Sequence, residues 1–230
     1  MHKKPHLPEK ICPACNRPFC LAQKMGKGLG PGPLLQRTVP ANSEPAGMTT
    51  VVWFKRDLRL RDHAPLVEAA RLGEPVIPLY VMEDDYWRQP ETSGRQWGFI
   101  DDSLQDLDRQ LRQAGTALVV MGGSVIDVFN QLLAKHGVDR VFCHQETGGQ
   151  WTFARDKAVI QWCAENRVEF REWNQFGVVR RLKDRDVWDK AWTDLMHQPA
   201  LDPPEVIPGA GSAWELAGAG AAPPFATLDN

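Results

Sequence analysis

A dense cluster of charged side chains follows the first apolar segment of the periodic region. Residues 51–54 are apolar, and four cations and two carboxylates come within the next eight positions: Lys55, Arg56, Asp57, Arg59, Arg61 and Asp62. Arginine guanidinium groups form two-pronged hydrogen bonds with carboxylates. We therefore interpret Asp57 and Arg59 as part of a structural network that fixes a strand-to-helix turn.

A second candidate site is the run Gly122-Gly123-Ser124, which follows an apolar segment and precedes a helical pattern. Backbone N–H groups and the helix dipole at such a turn can hold an anion, which makes Gly123 a candidate ligand contact. The alternative is a tight connection without a ligand, because the run has neither a P-loop lysine nor a G-x-G-x-x-G pattern.

A third candidate is Glu146, which ends another apolar segment and precedes Thr147, Trp151 and Arg155. In the expected fold it lies close to the end of the first strand. Trp151 falls on the apolar face of the following helical pattern, so a packed core aromatic is the favoured interpretation for it.

The elements that position these residues alternate between strand and helix. Short β-branched runs predict strands near 50–54, 76–82, 118–121, 140–144 and 169–173, and three- and four-residue spacing of apolar side chains predicts helices over 97–114, 125–135 and 151–164. Gly115 and Gly137 stand where helix C-caps belong. The pattern predicts an α/β fold with a doubly wound, five-stranded parallel sheet of order 3-2-1-4-5. The loops after the strands are then expected to build any pocket.

Composition limits the class of protein. The 230 residues are 43% hydrophobic and 24% charged, with a net charge of -2, which argues against binding nucleic acid through overall charge. No apolar run approaches the ~20 residues of a membrane helix, and the first residues lack a signal-peptide core. Five cysteines, an odd number, fit a reducing compartment, so a cytoplasmic protein is expected.

Five segments, in order along the chain, resemble the DNA photolyase/cryptochrome family. They are Val51-Val-Trp-Phe-Lys-Arg-Asp-Leu-Arg-Leu-Arg-Asp, Pro75-Val-Ile-Pro-Leu-Tyr-Val, Phe99-Ile-Asp-Asp-Ser-Leu-Gln-Asp-Leu, Trp151-Thr-Phe-Ala-Arg-Asp and Gly177-Val-Val-Arg-Arg. The resemblance covers roughly residues 50–200 and implies the N-terminal antenna-type α/β domain of that family.

The resemblance implies roles for several residues. It places the loop of Arg56 and Asp57 near an antenna-chromophore pocket and the interface with the flavin domain, with Arg56 facing the ligand. It implies that Arg155 and Asp156 tie their helix to neighbouring loops. His63 stands where the family commonly has asparagine, and we expect it to cap the following helix. Trp151-Thr152 replaces an Asn-Glu pair of some folate-binding members, so a deazaflavin, a flavin or no antenna remains open.

The function implied for intact relatives is blue-light-driven DNA repair, the deoxyribodipyrimidine photo-lyase reaction, or photoreception. That activity requires a helical domain that binds FAD and contacts DNA, and FAD is not expected to bind this chain. The interpretation is a chain truncated before that domain and inactive alone, with the flavin-binding domain as its partner and DNA contacted only through it. The alternatives are a stand-alone module that binds a nucleotide-like ligand or docks on a partner, and a non-functional frameshift product.

Four regions are expected: a partial Cys-rich, zinc-knuckle-like head that is disordered (1–20), a Gly/Pro-rich connector (21–47), the α/β domain (49–198) and a disordered low-complexity tail (199–230). The head carries Cys12 and Cys15 in a C-x-x-C knuckle and resembles a small domain encoded beside photolyase-like genes. Cys12 and Cys15 are candidate zinc ligands, but a closed structural zinc site requires four ligands. A one-base shift in plausible codons for 21–39 restores a second cysteine pair, which indicates an out-of-frame connector; a genuine linker is the alternative.

Overall fold

The computed structural model of the protein describes residues 9–11, 18–20, 48–180 and 182–210. The chain separates into two units, residues 1–46 and residues 47–230. In the first unit, strands β1 (Glu9–Ile11) and β2 (Pro18–Cys20) pair antiparallel. Cys12 and Cys15 lie outside the described residues, so a zinc site at these two cysteines stays a prediction.

The second unit is built on one parallel sheet. Its strands are β3 (Thr49–Phe54), β4 (Val76–Met82), β5 (Val119–Gly122), β6 (Val138–His144) and β7 (Glu169–Trp173). They are ordered β5-β4-β3-β6-β7, and every neighbouring pair is parallel. The predicted order 3-2-1-4-5 is therefore confirmed. Strands β3 and β4 are buried along their whole length, as their continuous apolar sequences require when helices cover both faces.

Helices cover both faces of the sheet. They are α1 (Ala64–Arg71), α2 (Asp84–Trp87), α3 (Gly94–Gln113), α4 (Val125–His136), α5 (Gln150–Asn166) and α6 (Trp188–Met196), the last preceded by a 3-10 turn at Arg185–Val187. Alternate residues of β3 point into two different cores. Val51 and Trp53 pack with residues of α4 and α5, whereas Val52 and Phe54 pack with residues of α1 and α3.

Short-range signals in the sequence set several helix ends. The imidazole of His63 accepts the backbone N–H of Leu66 and caps α1, as predicted. Ser93 and Ser124 cap α3 and α4 through their hydroxyl oxygens. Gly137 ends α4 in the left-handed conformation, with φ 65°, which favours glycine there.

The segment after α6 corrects the prediction of a disordered tail from residue 199. Leu201 exchanges hydrogen bonds with Asp62, Ile207 donates its N–H to Ala114, and Gly209 forms a parallel bridge with Val76. Ile207 is only 1% exposed. A Pro-rich segment supplies no packed face of its own, but one apolar side chain fills a gap beside α3 while the backbone uses donors and acceptors that the domain leaves open. The ordered domain therefore extends beyond residue 198.

No helix within residues 48–180 and 182–210 combines the length and the apolar character needed to cross a membrane.

Candidate ligand cleft at the carboxyl ends of the strands

A cleft of about 870 Å³ opens at the carboxyl ends of β3, β4 and β6. Loops that follow these three strands line it, through Arg56, Glu83 and Glu146, as expected from the topology. The remaining wall comes from α2 and the first turns of α3, including Tyr86, Phe99 and their neighbours. The sequence predicted that the loops after the strands build the pocket, whereas it did not predict this helical wall.

The floor of the cleft is an ion network centred on Arg155. Its guanidinium nitrogens lie 2.9 Å from a Glu83 oxygen and 3.0 Å from an Asp156 oxygen, and they also pair with Glu146. Burial alone would lower the pKa of Arg155, but Glu146, Glu83 and Asp156 outweigh it and raise that pKa. Burial raises the pKa of the Glu83 carboxyl, and Arg155 counteracts this rise. The implied role of Arg155 and Asp156 in tying helix to loops agrees with this geometry.

A buried lysine joins the same network from the first strand. The ammonium of Lys55 lies 3.4 Å from Asp156 and 4.5 Å from the centroid of the Trp53 ring. The Arg155 guanidinium carbon lies 4.8 Å from the Trp53 ring. Trp53 is 1% exposed, so its indole is held in the floor of the cleft with two cations against it.

Arg56 lies at the exposed edge of this network, since half of its side chain faces solvent (50%). Its Nε lies 3.0 Å from a Glu146 oxygen, and its Nη2 donates to the Tyr86 hydroxyl at 3.2 Å. Arg56 and Glu146, both candidate ligand contacts from the sequence, are thus brought together in the cleft.

The wall of the cleft is aromatic. Tyr86, Trp87 and Phe99 line it, and the ring centroids of Tyr86 and Trp87 are 5.3 Å apart. Two aromatic rings outside the lining pack against these residues, Trp97 at 5.3 Å from Trp87 and Trp151 at 5.6 Å from Tyr86. Trp151 is half-buried, so the interpretation as a packed core aromatic is wrong for it. Its ring lies against Tyr86 and beside the Arg155 guanidinium, whose carbon is 5.6 Å from the ring centroid.

The cleft carries positive charge although the whole chain is negative. Its lining contains five cations, Lys55, Arg56, Arg59, Arg95 and Arg155, and three carboxylates, Glu83, Glu91 and Glu146, a difference of +2 against -2 for the chain. Counting the adjoining Asp156 leaves +1. Among the described residues no carboxylate pairs with Arg59 or Arg95. Arg59 instead donates to two backbone carbonyls and to Gln175, all neutral acceptors.

Asp57 lies beneath the cleft, does not line it, and is 2% exposed. One carboxylate oxygen accepts the N–H of Lys55 at 2.9 Å. The other lies 2.8 Å from Nε2 of His63 and 2.6 Å from Nδ1 of His144. We name Asp57, His63 and His144 the Asp57 cluster. The expected structural network at this turn is present, but the two histidines, not Arg59, supply the partners of Asp57.

The Asp57 cluster holds an ionised carboxylate and a neutral imidazole. Burial alone would raise the pKa of Asp57, but hydrogen bonds from His144 and His63 outweigh it and hold the pKa well below 3.8. Burial lowers the pKa of His63 below 6.5 against the attraction of Asp57. Sequence reasoning missed His144, whose only signal is a polar residue ending an otherwise buried strand.

The Asp57 cluster presents one carboxylate and two imidazoles within 4.8 Å of one another, the residue types of a metal site. A neutral histidine that binds metal through Nε2 carries its proton on Nδ1. In His63 that nitrogen accepts the N–H of Leu66 at 3.1 Å and cannot carry a proton there. The arrangement is therefore better suited to direct hydrogen bonding than to holding a metal ion.

The predicted anion site at Gly123 is separate from the cleft lining. Gly123 adopts φ 119°, a conformation that favours glycine. Two of the N–H groups at the start of α4 already have acceptors, because Glu83 accepts from Val125 at 3.4 Å and Ser124 accepts from Asp127 at 3.2 Å. These contacts favour the alternative of a tight connection.

Known proteins match this chain in sequence. A family model described as DNA photolyase matches residues 50–180. Cryptochrome-2 of Gallus gallus is 32% identical over 130 residues, which are 56% of this chain and 22% of that protein. The deoxyribodipyrimidine photo-lyase of Agrobacterium fabrum is 32% identical over 127 residues, 54% of this chain and 25% of the relative. The chain thus spans about a quarter or less of these relatives.

Solved structures show the same architecture. A bacterial class III photolyase from Agrobacterium tumefaciens superposes with a TM-score of 0.61 at 26% identity, over 77% of this chain and 38% of that one. An archaeal photolyase from Sulfolobus tokodaii, described with two FAD molecules and the implication of a novel light-harvesting cofactor, gives 0.56 at 23% identity, over 70% and 38%.

Proposed function

Because the chain belongs to the DNA photolyase family, we propose that its α/β domain is an antenna-type module that binds a planar aromatic anion in the cleft beside Arg56. The observation that carries the proposal is the combination of an aromatic wall with a cationic lining in a negatively charged protein. A flavin or deazaflavin carrying an anionic arm has this chemistry.

The cleft fits such a ligand in size and in surface. Its volume of about 870 Å³ lies within the range of ~300–1,000 Å³ common for small-molecule sites. Tyr86, Trp87 and Phe99 offer apolar ring faces and edges, and Phe99 is 75% exposed and so open to a ring placed beside it. A planar conjugated ring bound there is covered on one side by aromatic carbon and excluded from water.

The polar residues divide the work of binding. Arg155 has three carboxylate partners and stays fixed, whereas Arg56 is half-exposed and reaches the cleft mouth. An anionic arm is held by Arg56 and by the cations without carboxylate partners among the described residues, Arg59 and Arg95. The bound chromophore would supply light absorption and pass its excitation to a flavin elsewhere. The residues of this chain bind it, orient it and keep water from its ring.

The rest of the light-dependent activity belongs, in our proposal, to a helical domain that binds FAD and through which DNA is contacted. Repair or photoreception then depends on that domain, as the functions named for the relatives imply. The archaeal structure with two FAD molecules is 23% identical to this chain in sequence, and at that identity it supports the fold alone. The ligand proposal therefore rests on the residues of the cleft. A cytoplasmic location fits the five cysteines, two of which are buried free thiols.

The test is a fluorescence titration of the full chain with FMN and with riboflavin, which share a ring and differ in the phosphate. We expect FMN to bind more tightly, and Arg56→Gln to weaken FMN by roughly tenfold with little effect on riboflavin, because one charge-assisted hydrogen bond contributes ~1.5–3 kcal/mol and exposure reduces it. Arg88→Gln is the matched control, since Arg88 pairs with Asp84 and Asp85 outside the cleft lining. Equal affinity for both probes, or no binding of either, would contradict the proposal.

A further inference from the structure

Three elements of the domain meet at the carboxylate of Asp57. It accepts the N–H of Lys55 from its own turn, it contacts His63 at the start of α1, and it contacts His144 at the end of β6. The same turn carries Lys55 and Arg56 into the cleft, and the residue two positions after His144 is Glu146. The Asp57 cluster therefore sets the position of cleft residues without touching a ligand.

The hydrogen bonds of His63 fix one tautomer. Its Nδ1 accepts the N–H of Leu66 at 3.1 Å, so that nitrogen carries no proton. Its Nε2 lies 2.8 Å from the Asp57 carboxylate, which only accepts, so the proton is on Nε2. His63 thus uses both ring nitrogens, one as the cap of α1 and one as a donor to Asp57.

A second proton on His63 conflicts with this arrangement. The only nitrogen that can take it is Nδ1, where a new N–H would face the N–H of Leu66. Two donors cannot share this contact, so the side-chain cap of α1 would be lost and the Leu66 N–H would keep only the His63 carbonyl oxygen, 3.0 Å from its nitrogen. Because His63 is 0% exposed, its ring has no solvent into which it can turn without movement of the surrounding chain.

Some of the groups that face His63 favour protonation of its imidazole, and others oppose it. Asp57, on the turn after β3, favours the charged imidazole, whereas burial, His144 at the end of β6 and Arg59 on the same turn disfavour it, and the net result is a lowered pKa. The ring of Phe54, on β3, packs at 4.6 Å between centroids and offers no compensating charge.

We propose that His63 is a positioning residue whose proton uptake at Nδ1 uncaps α1 and shifts the imidazole against Asp57, on the turn that carries Lys55 and Arg56. Ligand affinity in the cleft should then fall in acid, a consequence that rests on the proposed function. The uncapping itself does not depend on a ligand.

The test measures amide hydrogen exchange in the ligand-free full chain by NMR, at about pH 7.5 and about pH 5. The protection factor of the Leu66 amide is expected to fall in acid, by up to about tenfold per pH unit once the proton is taken up. The Val52 amide, in the core of β3, should keep its protection. An equal fall at Val52 would mean global opening and would overturn the proposal, as would constant protection at Leu66.

His63→Asn separates capping from titration. Asparagine is a good N-cap with an acceptor near the position of Nδ1, but it does not titrate. We expect the Leu66 protection of this variant to stay within about twofold across the same range, because no proton is taken up at the cap. His197→Asn, at an exposed position after α6, should behave like the original chain. A fall in His63→Asn matching that of the original chain would overturn the proposal.

A measurement without substitution guards against a variant that fails to fold. The imidazole ¹⁵N shifts of the original chain at neutral pH should show His63 protonated on Nε2 only. A proton on Nδ1 would contradict the hydrogen-bond assignment and the proposal with it.

Discussion

Two sets of buried polar side chains at the strand ends, the Arg155 network and the Asp57 cluster, differ in the kind of charge they hold. The Arg155 network opposes guanidinium and ammonium groups to three carboxylates and lines the cleft. The Asp57 cluster opposes one carboxylate to two imidazoles and lies below it. Arginine keeps its charge at every physiological pH, whereas histidine does not. The Arg155 network therefore gives the cleft a fixed electrostatic character, while the Asp57 cluster makes the turn below the cleft sensitive to pH.

The largest expected effect is the loss of Arg155. Arg155→Met leaves Glu83, Glu146 and Asp156 buried without their shared partner, and we expect a loss of ~3–5 kcal/mol in the free energy of unfolding. Urea denaturation measures it. Arg112→Met is the control, because Arg112 is an exposed partner of Asp108 on α3 and should cost less than ~0.5 kcal/mol. Equal losses in the two variants would mean that the network contributes little.

The loss of Asp57 ranks next. In Asp57→Asn an amide NH₂ replaces one acceptor and faces donors, and we expect a loss of ~2–3 kcal/mol near neutral pH. Thermal and urea unfolding measure it, with Asp194→Asn on the exposed face of α6 as a control. A loss no greater than that of the control would show that the Asp57 cluster is not a stabilising unit.

The pH dependence of the free energy of unfolding also distinguishes the Asp57 cluster from the Arg155 network. The pKa of His63 is lowered in the folded state, so the unfolded chain takes the proton first as pH falls below 6.5, and stability falls with it. The slope approaches ~1.4 kcal/mol per pH unit for this one group. Asp57 acts at lower pH, since its contribution is present above 3.8 and is lost as pH falls through its lowered folded pKa. Urea unfolding across pH should show a shallower slope below pH 6.5 in His63→Asn.

The smallest effect on stability is expected at the edge of the Arg155 network. Arg56 is half-exposed, so Arg56→Gln should change the free energy of unfolding by less than ~1 kcal/mol while it weakens FMN. Urea unfolding of the variant beside Arg88→Gln measures this. A loss as large as that of Arg155→Met would mean that Arg56 is a structural member of the network and not a ligand contact.

The sequence predicted the parts of the fold that depend on local pattern. The sheet followed from short β-branched runs, α3 from three- and four-residue spacing, and the His63 cap from its place where the family commonly has asparagine. Asp57 and His144 meet across 87 positions, and no local pattern joins them. Ile207 packs although its neighbours are a Pro- and Gly-rich segment, because tertiary contacts and not local composition order it.

The candidate site shows the same division. Arg56 and Glu146 could be placed at one edge from the topology alone, since parallel strands end on one side of the sheet. The aromatic wall could not, because it depends on how α2 and α3 turn back over the strand ends. At Gly123 the sequence allows both an anion site and a tight connection, and Glu83 and Ser124 already accept two of the N–H groups at the start of α4.

The most direct test of the central claim is a crystal structure of the full chain with FMN. We expect the isoalloxazine ring beside Tyr86 and Phe99, with the phosphate within hydrogen-bond distance of Arg56, ~2.7–3.2 Å. Density for FMN at another surface, or a phosphate directed away from Arg56 with the ring in solvent, would contradict it.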